Sequence, residues 1–329
     1  MRTVITGGCG FIGTALASRL LEGMHKSDEI ILVDTMQRHG TPTDLDILSD
    51  PRLKIIEADL SDPDSFCAIP GKVDRIYHLA AIVGVNHVEA DPVRVMQSNT
   101  LSTMYTLDWF IKNGTREARF LFSSSSEVYA GAAIAGFNLP LPTPENVPAV
   151  ITDLGNPRFS YALTQMWGEA YANYLAEKYN VFTLSVRYHN IYGARMGYDH
   201  VIPQIISRVM ARENPFKIIA AEQTRSFCWI DDAAKATHLL MESDKAEPGI
   251  LVHVGNENGE IKIGKLYDLI FDDCSWWPEK VIRVPAPVGS VARRCPNTER
   301  LRLLTGYSPS TPLQEGLRET VSWYKENLQ

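Results

Sequence analysis

The chain has 329 residues, 45% hydrophobic and 22% charged, with a formal net charge of −7 at pH 7. That length supports one large domain or two modest ones, and the acidic balance argues against nucleic acid or an anionic membrane as the main partner. Five scattered cysteines (Cys9, Cys67, Cys228, Cys274, Cys295) follow no metal-ligand spacing and read as free thiols of a reducing compartment.

No apolar run is long enough to span a bilayer, and no leader-like segment precedes the first strand pattern, so the expected location is cytoplasmic. That pattern, over 4–6, runs into Thr6-Gly7-Gly8-Cys9-Gly10-Phe11-Ile12-Gly13 and then a helical pattern carried by Ala15, Leu16, Leu20 and Leu21. Strand, glycine turn and helix in this order form a dinucleotide-binding unit. Gly7 permits the tight turn, Gly10 lets the backbone approach a pyrophosphate, and Gly13 lets helix pack on strand. The amides at the helix start, those of Phe11, Ile12 and Gly13, face the anion with the helix dipole behind them. Cys9 reads as a space-filler. Asp34 ends the next apolar run, 30–33, about twenty residues on, where a carboxylate binds the adenosine ribose hydroxyls and repels a 2′-phosphate. The expected cofactor is NAD rather than NADP.

Strand patterns over 53–56, 75–79, 120–123 and 182–187 alternate with helices over 12–21, 93–112 and 161–178. The implied fold is α/β, a Rossmann-type doubly wound parallel sheet with helices on both faces. After the third strand, Asp59 and Leu60 stand where Asp59 either faces the adenine amino group or caps a helix before Ser61-Asp62-Pro63. His78-Leu79-Ala80-Ala81 ends the fourth strand at the carboxyl edge, where ligands sit. Ala80 is small enough for close approach of the cofactor, His78 reads as a packed strand residue, and Asn99 as a tie to neighbouring backbone. From 131 to 157 the pattern dissolves into Gly, Pro and Asn, as in a lid or binding loop. Helical patterns near 202–212 and 263–271 and a proline-rich stretch, 278–296, predict a smaller substrate-covering lobe. Residues 250–254 read as a strand returning to the main sheet, and an amphipathic helix over 313–327 closes the fold. The expected division is an NAD-binding domain over 1–187, rejoined near 250–254, and a discontinuous lobe over 188–329.

Three segments carry chemistry: Ser123 to Tyr129 after the fifth strand, Tyr161 with Thr164 and Gln165 one turn later, and Arg187 to Arg195 after the sixth strand. With the glycine stretch, Asp34, Arg225-Ser226-Phe227 with Asp231-Asp232, Val254-Gly255-Asn256 and Arg294-Cys295-Pro296, they occur in the order seen in the extended short-chain dehydrogenase/reductases that modify nucleotide sugars. The chain resembles that family over nearly its whole length. The resemblance implies that Ser125 hydrogen-bonds the sugar hydroxyl being oxidised and that Tyr161, which also belongs to the cofactor-binding set, takes its proton as phenolate. This is general-base catalysis by a phenol whose ordinary pKa is about 10. A lysine four residues after the tyrosine normally lowers that pKa and holds the nicotinamide ribose. Here the position is Gln165, which can bond ribose hydroxyls but brings no charge.

Glu127 resembles the glutamate of nucleotide-sugar dehydratases and decarboxylases, which works near C5 once C4 is a ketone; its other reading is a glutamate bonded to nearby backbone. The segments 157–161 and 255–258 resemble the UDP-glucuronate decarboxylase domain of bacterial lipid A modification. Arg294 falls where that domain has an arginine acting on the carboxylate, although the same Arg-x-Pro also serves the family as a diphosphate contact. Ser126 replaces the catalytic aspartate of dTDP-glucose 4,6-dehydratases. Asn190, Arg225 and Arg294 are the phosphate candidates, since guanidinium forks suit diphosphate oxygens; a surface ion pair is the other reading of Arg225. Val201-Ile202-Pro203 is expected at the nucleobase pocket, Trp276-Trp277 in the lobe core, and Asp231 and Asp232 as helix caps.

The expected function is therefore an NAD-dependent nucleotide-sugar enzyme that oxidises C4 transiently and acts at C5 or C6, a decarboxylase or dehydratase. The alternative reaction is 4-epimerisation. Gln165 motivates a reading from another class, a non-catalytic NAD-binding regulatory protein. UDP is the expected nucleotide, no metal is expected, and the resemblance implies a homodimer paired through helices 93–112 and 161–178.

Overall fold

In a computed structural model, which describes residues 1–37, 46–286 and 290–327, seven strands pair in parallel throughout. They are β1 (Arg2–Thr6), β2 (Glu29–Asp34), β3 (Leu53–Glu57), β4 (Val73–His78), β5 (Gly114–Ser125), β6 (Phe182–Tyr188) and β7 (Ile250–Val254). Their order is β7-β6-β5-β4-β1-β2-β3. The winding direction reverses between β1 and β4, and at such a switch point the carboxyl ends of the strands border a crevice.

The strands read as unbroken apolar runs because both faces of the sheet are covered. On β2 the pleat sends Ile30 and Leu32 to one face and Ile31 and Val33 to the other. The first face packs with Leu16 and Leu20 of α1 (Phe11–Gly23) and with Leu240. The second packs with Leu107 and Phe110 of α2 (Pro92–Asn113) and with Ala172 and Leu175 of α3 (Arg158–Tyr179). A separate core joins α4 (Val201–Met210), the start of α5 (Ile230–Glu242), α6 (Ile263–Asp273) and α7 (Leu313–Asn327) around Phe216, Phe271 and Tyr324.

Several local expectations change. The fifth strand is longer than its apolar stretch, running through Ser125, and α3 begins at Arg158, so Tyr161 lies inside its first turn rather than opening it. The stretch from 131 begins as a short helix, Ala130–Ile134, because its small residues bury well. Farther on, Thr143 is stitched to the C-terminal segment: its N–H donates to Cys295 O at 2.8 Å and its O accepts from Asn297 N–H at 2.8 Å.

Asp59 is not a helix cap. Its Oδ1 turns back onto Ser61, accepting from the amide at 2.9 Å and the hydroxyl at 2.7 Å, while Asp62 caps Pro63–Ala68. Nor do Asp231 and Asp232 cap α5, which starts from Trp229. Asp232 instead accepts the amides of Ser310 and Thr311 at 3.0 and 2.8 Å, tying down the segment before α7. Ile202 and Pro203 are buried, Ile202 in that separate core, leaving only Val201 of that trio partly exposed. Trp276 packs on Phe216 and Phe271, whereas Trp277 is 54% exposed. Residues 287–289 of the proline-rich stretch and 328–329 at the end of the chain lie outside the described residues. Among the described residues no helix is long and apolar enough to cross a membrane, and no cluster of His, Cys, Asp or Glu is placed to hold a metal ion.

Candidate active site

The glycine turn is built by backbone. Gly7 has φ +64°, and a Cβ there would sit 2.8 Å from Ala80 N, so the loop after β1 lies directly against the end of β4. A Cβ on Gly13 would lie 2.6 Å from Gly7 O, which is the close packing of α1 on the loop. Helix α1 starts at Phe11 with no acidic residue in its first turn and no side-chain cap from Gly10. The amides of Phe11, Ile12 and Gly13 precede the first helical bond, Thr14 N–H to Gly10 O at 3.0 Å, and so have no acceptor within the helix. Such a helix start suits an anion.

Asp34 closes β2 beside this loop. Its Oδ2 accepts Cys9 N–H at 3.1 Å and its Oδ1 accepts Met36 N–H at 3.0 Å. The carboxylate is thus aimed by two amides and remains half-buried, with lone pairs left for hydroxyls. Cys9 is buried, and burial followed by the Asp34 charge pushes its thiol up to about 12, so it is inert filling. Leu60 is buried after β3, and Asp59 is exposed beside it. His78 bonds Thr6 Oγ1 at 2.8 Å and Thr103 Oγ1 at 3.1 Å, and burial lowers its pKa to about 3. It is a neutral strand residue. Asn99 clasps Ile82, accepting its amide at 2.7 Å and donating to its carbonyl at 3.2 Å, which ties α2 to the segment after β4.

At the end of β5 the polar side chains gather. Ser125 precedes a single tight turn, Ser126–Tyr129, and its Oγ accepts Glu127 N–H at 3.3 Å. Tyr161, from α3, meets this turn. Burial raises its phenol well above the ordinary value, a hydrogen bond with Ser125 acts in the other direction, and the Glu127 charge adds to the rise. One turn later Gln165 is 2% exposed with its Oε1 unpartnered among the described residues. A buried amide oxygen without a donor costs about 1–3 kcal/mol, so it is an open acceptor that a ribose hydroxyl would satisfy. With the anion-ready helix start and the aimed Asp34, this orphan atom fits a bound dinucleotide.

Among the described residues the Glu127 carboxylate has arginine partners and no bond to nearby backbone. Its Oε1 accepts from Arg294 Nη1 at 2.6 Å, and its Oε2 stands 3.6 Å from Arg158 Nη2. Burial pushes its carboxyl up, but the guanidiniums of Arg294 and Arg158 outweigh this and hold it at about 2. Arg294 lies on Arg293–Arg294, paired in parallel with Thr224–Ser226 so that Arg294 stands beside Arg225. Arg225 is not a surface ion pair: it donates to Thr224 O at 2.7 Å and Gln223 Oε1 at 3.0 Å, both neutral. Burial, then the Arg294 charge, lowers its pKa to about 10. Asn190, φ +42°, donates to Ser226 O at 2.9 Å, on the same strand as Arg225.

Behind the serine run is a buried network that spacing did not disclose. Arg187 forks onto Glu169, Nε to Oε1 at 2.7 Å and Nη2 to Oε2 at 2.6 Å, and Ser124 also bonds Glu169. Arg187 reaches Tyr129, whose hydroxyl bonds His253 Nε2 at 2.6 Å, and Glu145 Oε1 accepts His253 N–H at 3.1 Å. These partners are far apart in sequence, so only the fold brings them together. Arg158 is the other residue missed as a site member; its one signal was the resemblance of 157–161.

Residues 3–255 match the model of the NAD dependent epimerase/dehydratase family. A relative from Methanocaldococcus jannaschii, provisionally named a UDP-glucose 4-epimerase, is 28% identical over 328 residues, covering 98% of each chain. UDP-N-acetyl-alpha-D-glucosaminuronate decarboxylase from Bacillus cytotoxicus is 28% identical, with 99% of this chain and 98% of that one covered. Among solved structures, the UDP-glucose 4-epimerase of Thermotoga maritima with UDP-glucose superposes with a TM-score of 0.82 at 25% identity over 100% of both chains.

Proposed function

The chain belongs to the NAD-dependent epimerase/dehydratase family, and from that premise we propose that it decarboxylates a UDP-linked uronic acid through transient oxidation at C4. The observation that carries this reading is the ionised Glu127, gripped by Arg294 at 2.6 Å and approached by Arg158 at 3.6 Å, with Arg225 beside Arg294 and neutral acceptors on it, next to Ser125 and Tyr161: a guanidinium cluster that already holds a carboxylate where the sugar would lie. A uronate carboxylate suits that cluster. The names of several relatives support the same class.

In this reading the glycine turn, the amides of Phe11, Ile12 and Gly13, Asp34, Asp59, Leu60, Ala80 and Gln165 hold the cofactor. Asn190 and Arg225 hold the diphosphate, with Arg294 at the carboxylate. Ser125 positions the C4 hydroxyl and Tyr161 removes its proton. Bound NAD supplies the hydride acceptor at C4 and later the hydride donor. Once C4 is a carbonyl, the C6 carboxylate belongs to a β-keto acid. The C5–C6 bond breaks with release of CO2, and its electron pair passes to the C4 oxygen as an enolate held by the Tyr161 and Ser125 hydroxyls. C5 then takes a proton from solvent. A carboxyl held at about 2 is no proton donor at neutral pH, which disfavours dehydration, a reaction that needs an acid for its leaving oxygen.

A 4-epimerase is the second reading, favoured by the grip of two arginines on Glu127, which suits an orienting group. A homodimer fits the exposed Val93 and Met96 of α2 and Tyr174 of α3. The test is product mass. With NAD and a panel of UDP-, dTDP-, GDP- and CDP-sugars that includes UDP-glucuronate and UDP-N-acetylglucosaminuronate, decarboxylation lowers the sugar nucleotide by one CO2. An isomer of unchanged mass supports the epimerase, and no product despite NAD binding supports the regulatory reading.

A further inference from the structure

Resting on the uronate reading, we propose that Glu127 is an internal stand-in for the substrate's carboxylate: in the free protein it fills the guanidinium pocket that the uronate takes, and binding displaces it. The grip on Glu127 comes from two distant parts of the chain, Arg294 at 2.6 Å and Arg158, the first residue of α3, at 3.6 Å. Arg225 stands next to Arg294 in register across paired strands, while its acceptors at Thr224 and Gln223 are neutral. Like charges crowded in this way need an anion between them. A carboxylate supplied by a ligand makes the same charge-assisted forks as one supplied by the chain.

Glu127 is suited to leave. It lies on one tight turn, Ser126–Tyr129, anchored through its own amide to Ser125, and its side chain is 33% exposed. A swing of the side chain therefore breaks no helix or strand. Exchange of one carboxylate for another keeps the arginines satisfied, and a Glu127 freed from Arg294 loses the pairing that suppresses its basicity. A neutral hexose has no group to drive the exchange, so Glu127 acts as a specificity-determining residue.

The experiment is titration calorimetry of the NAD-loaded protein with UDP-glucuronate and UDP-glucose, on the natural chain, Glu127→Gln and Glu127→Asp. Glu127→Gln keeps the size and one acceptor but removes the competing charge. UDP-glucuronate should bind it about tenfold tighter, which corresponds to about 1.4 kcal/mol, while UDP-glucose binding stays as it was. Glu127→Asp retains the charge but falls short of Arg294, so a smaller gain in the same direction is expected, and this variant keeps the test open should the first not fold. Equal gains for both nucleotides would overturn the inference, because the diphosphate would then be the displacing anion. Weaker UDP-glucuronate binding in the variants would overturn it too, making Glu127 a support for the arginines. Absence of UDP-glucuronate turnover in the natural chain would strike instead at the uronate reading.

Discussion

The two ends of the crevice are made of different materials. At the end proposed for the cofactor, Gly7, Gly10, Gly13, the first amides of α1 and Asp34 come from two neighbouring strands and the turn and helix between them, and most of the contacts are backbone. At the end proposed for the sugar, Ser125, Glu127, Arg158, Tyr161, Arg225 and Arg294 come from widely separated elements, and the contacts are between charged or hydroxylated side chains. A backbone site serves every member of a fold alike, whereas side chains can be exchanged singly and can change the reaction.

Substitutions that strike one end alone sharpen that contrast. The largest effect is expected from Tyr161→Phe: loss of a general base lowers kcat by about 10²–10⁴-fold, with NAD affinity, read by calorimetry, unchanged. Gly13→Ala is the mirror experiment. Its Cβ would meet Gly7 O at 2.6 Å, and overpacking of about 1–3 kcal/mol should appear as NAD affinity weakened by tenfold or more and a lower melting temperature. Asp34→Asn removes a charge-assisted acceptor worth about 1.5–3 kcal/mol. It should weaken NAD by about 10- to 100-fold and narrow the preference over NADP.

The smallest effect belongs to Gln165→Lys. Burial and the Glu127 charge hold the Tyr161 phenol above its ordinary value, so its basic form is scarce at neutral pH and the rate should climb as pH rises. An ammonium one turn away favours the phenolate, moves that limb to lower pH and raises the neutral rate severalfold, about what a shift near one pKa unit delivers. A rate profile that ignores the substitution would separate Gln165 from the base altogether.

How far each end could be read in advance follows from the same contrast. The glycine turn and Asp34 announce themselves because backbone geometry imposes residue types at short, fixed spacing. Ser125, Glu127, Tyr161 and Arg294 were recognisable as types in an order, but the pairing of Glu127 with Arg294 spans 167 residues and no periodicity encodes it. Arg158 escaped for that reason, as did the Arg187–Glu169–Tyr129–His253 network. The caps expected at Asp231 and Asp232, and the cap alternative at Asp59, fail for another cause: an aspartate before or within a first turn can serve its own loop or a distant amide as readily as the helix.

The central claim, a uronate oxidised at C4 and decarboxylated at one site, is tested most directly with UDP-glucuronate deuterated at C4, converted over many turnovers with substoichiometric NAD. The account predicts a product lacking one CO2, with deuterium retained at C4 and one solvent-derived hydrogen at C5. A product of unchanged mass inverted at C4, or one that loses CO2 but exchanges its C4 deuterium for hydrogen, would contradict it.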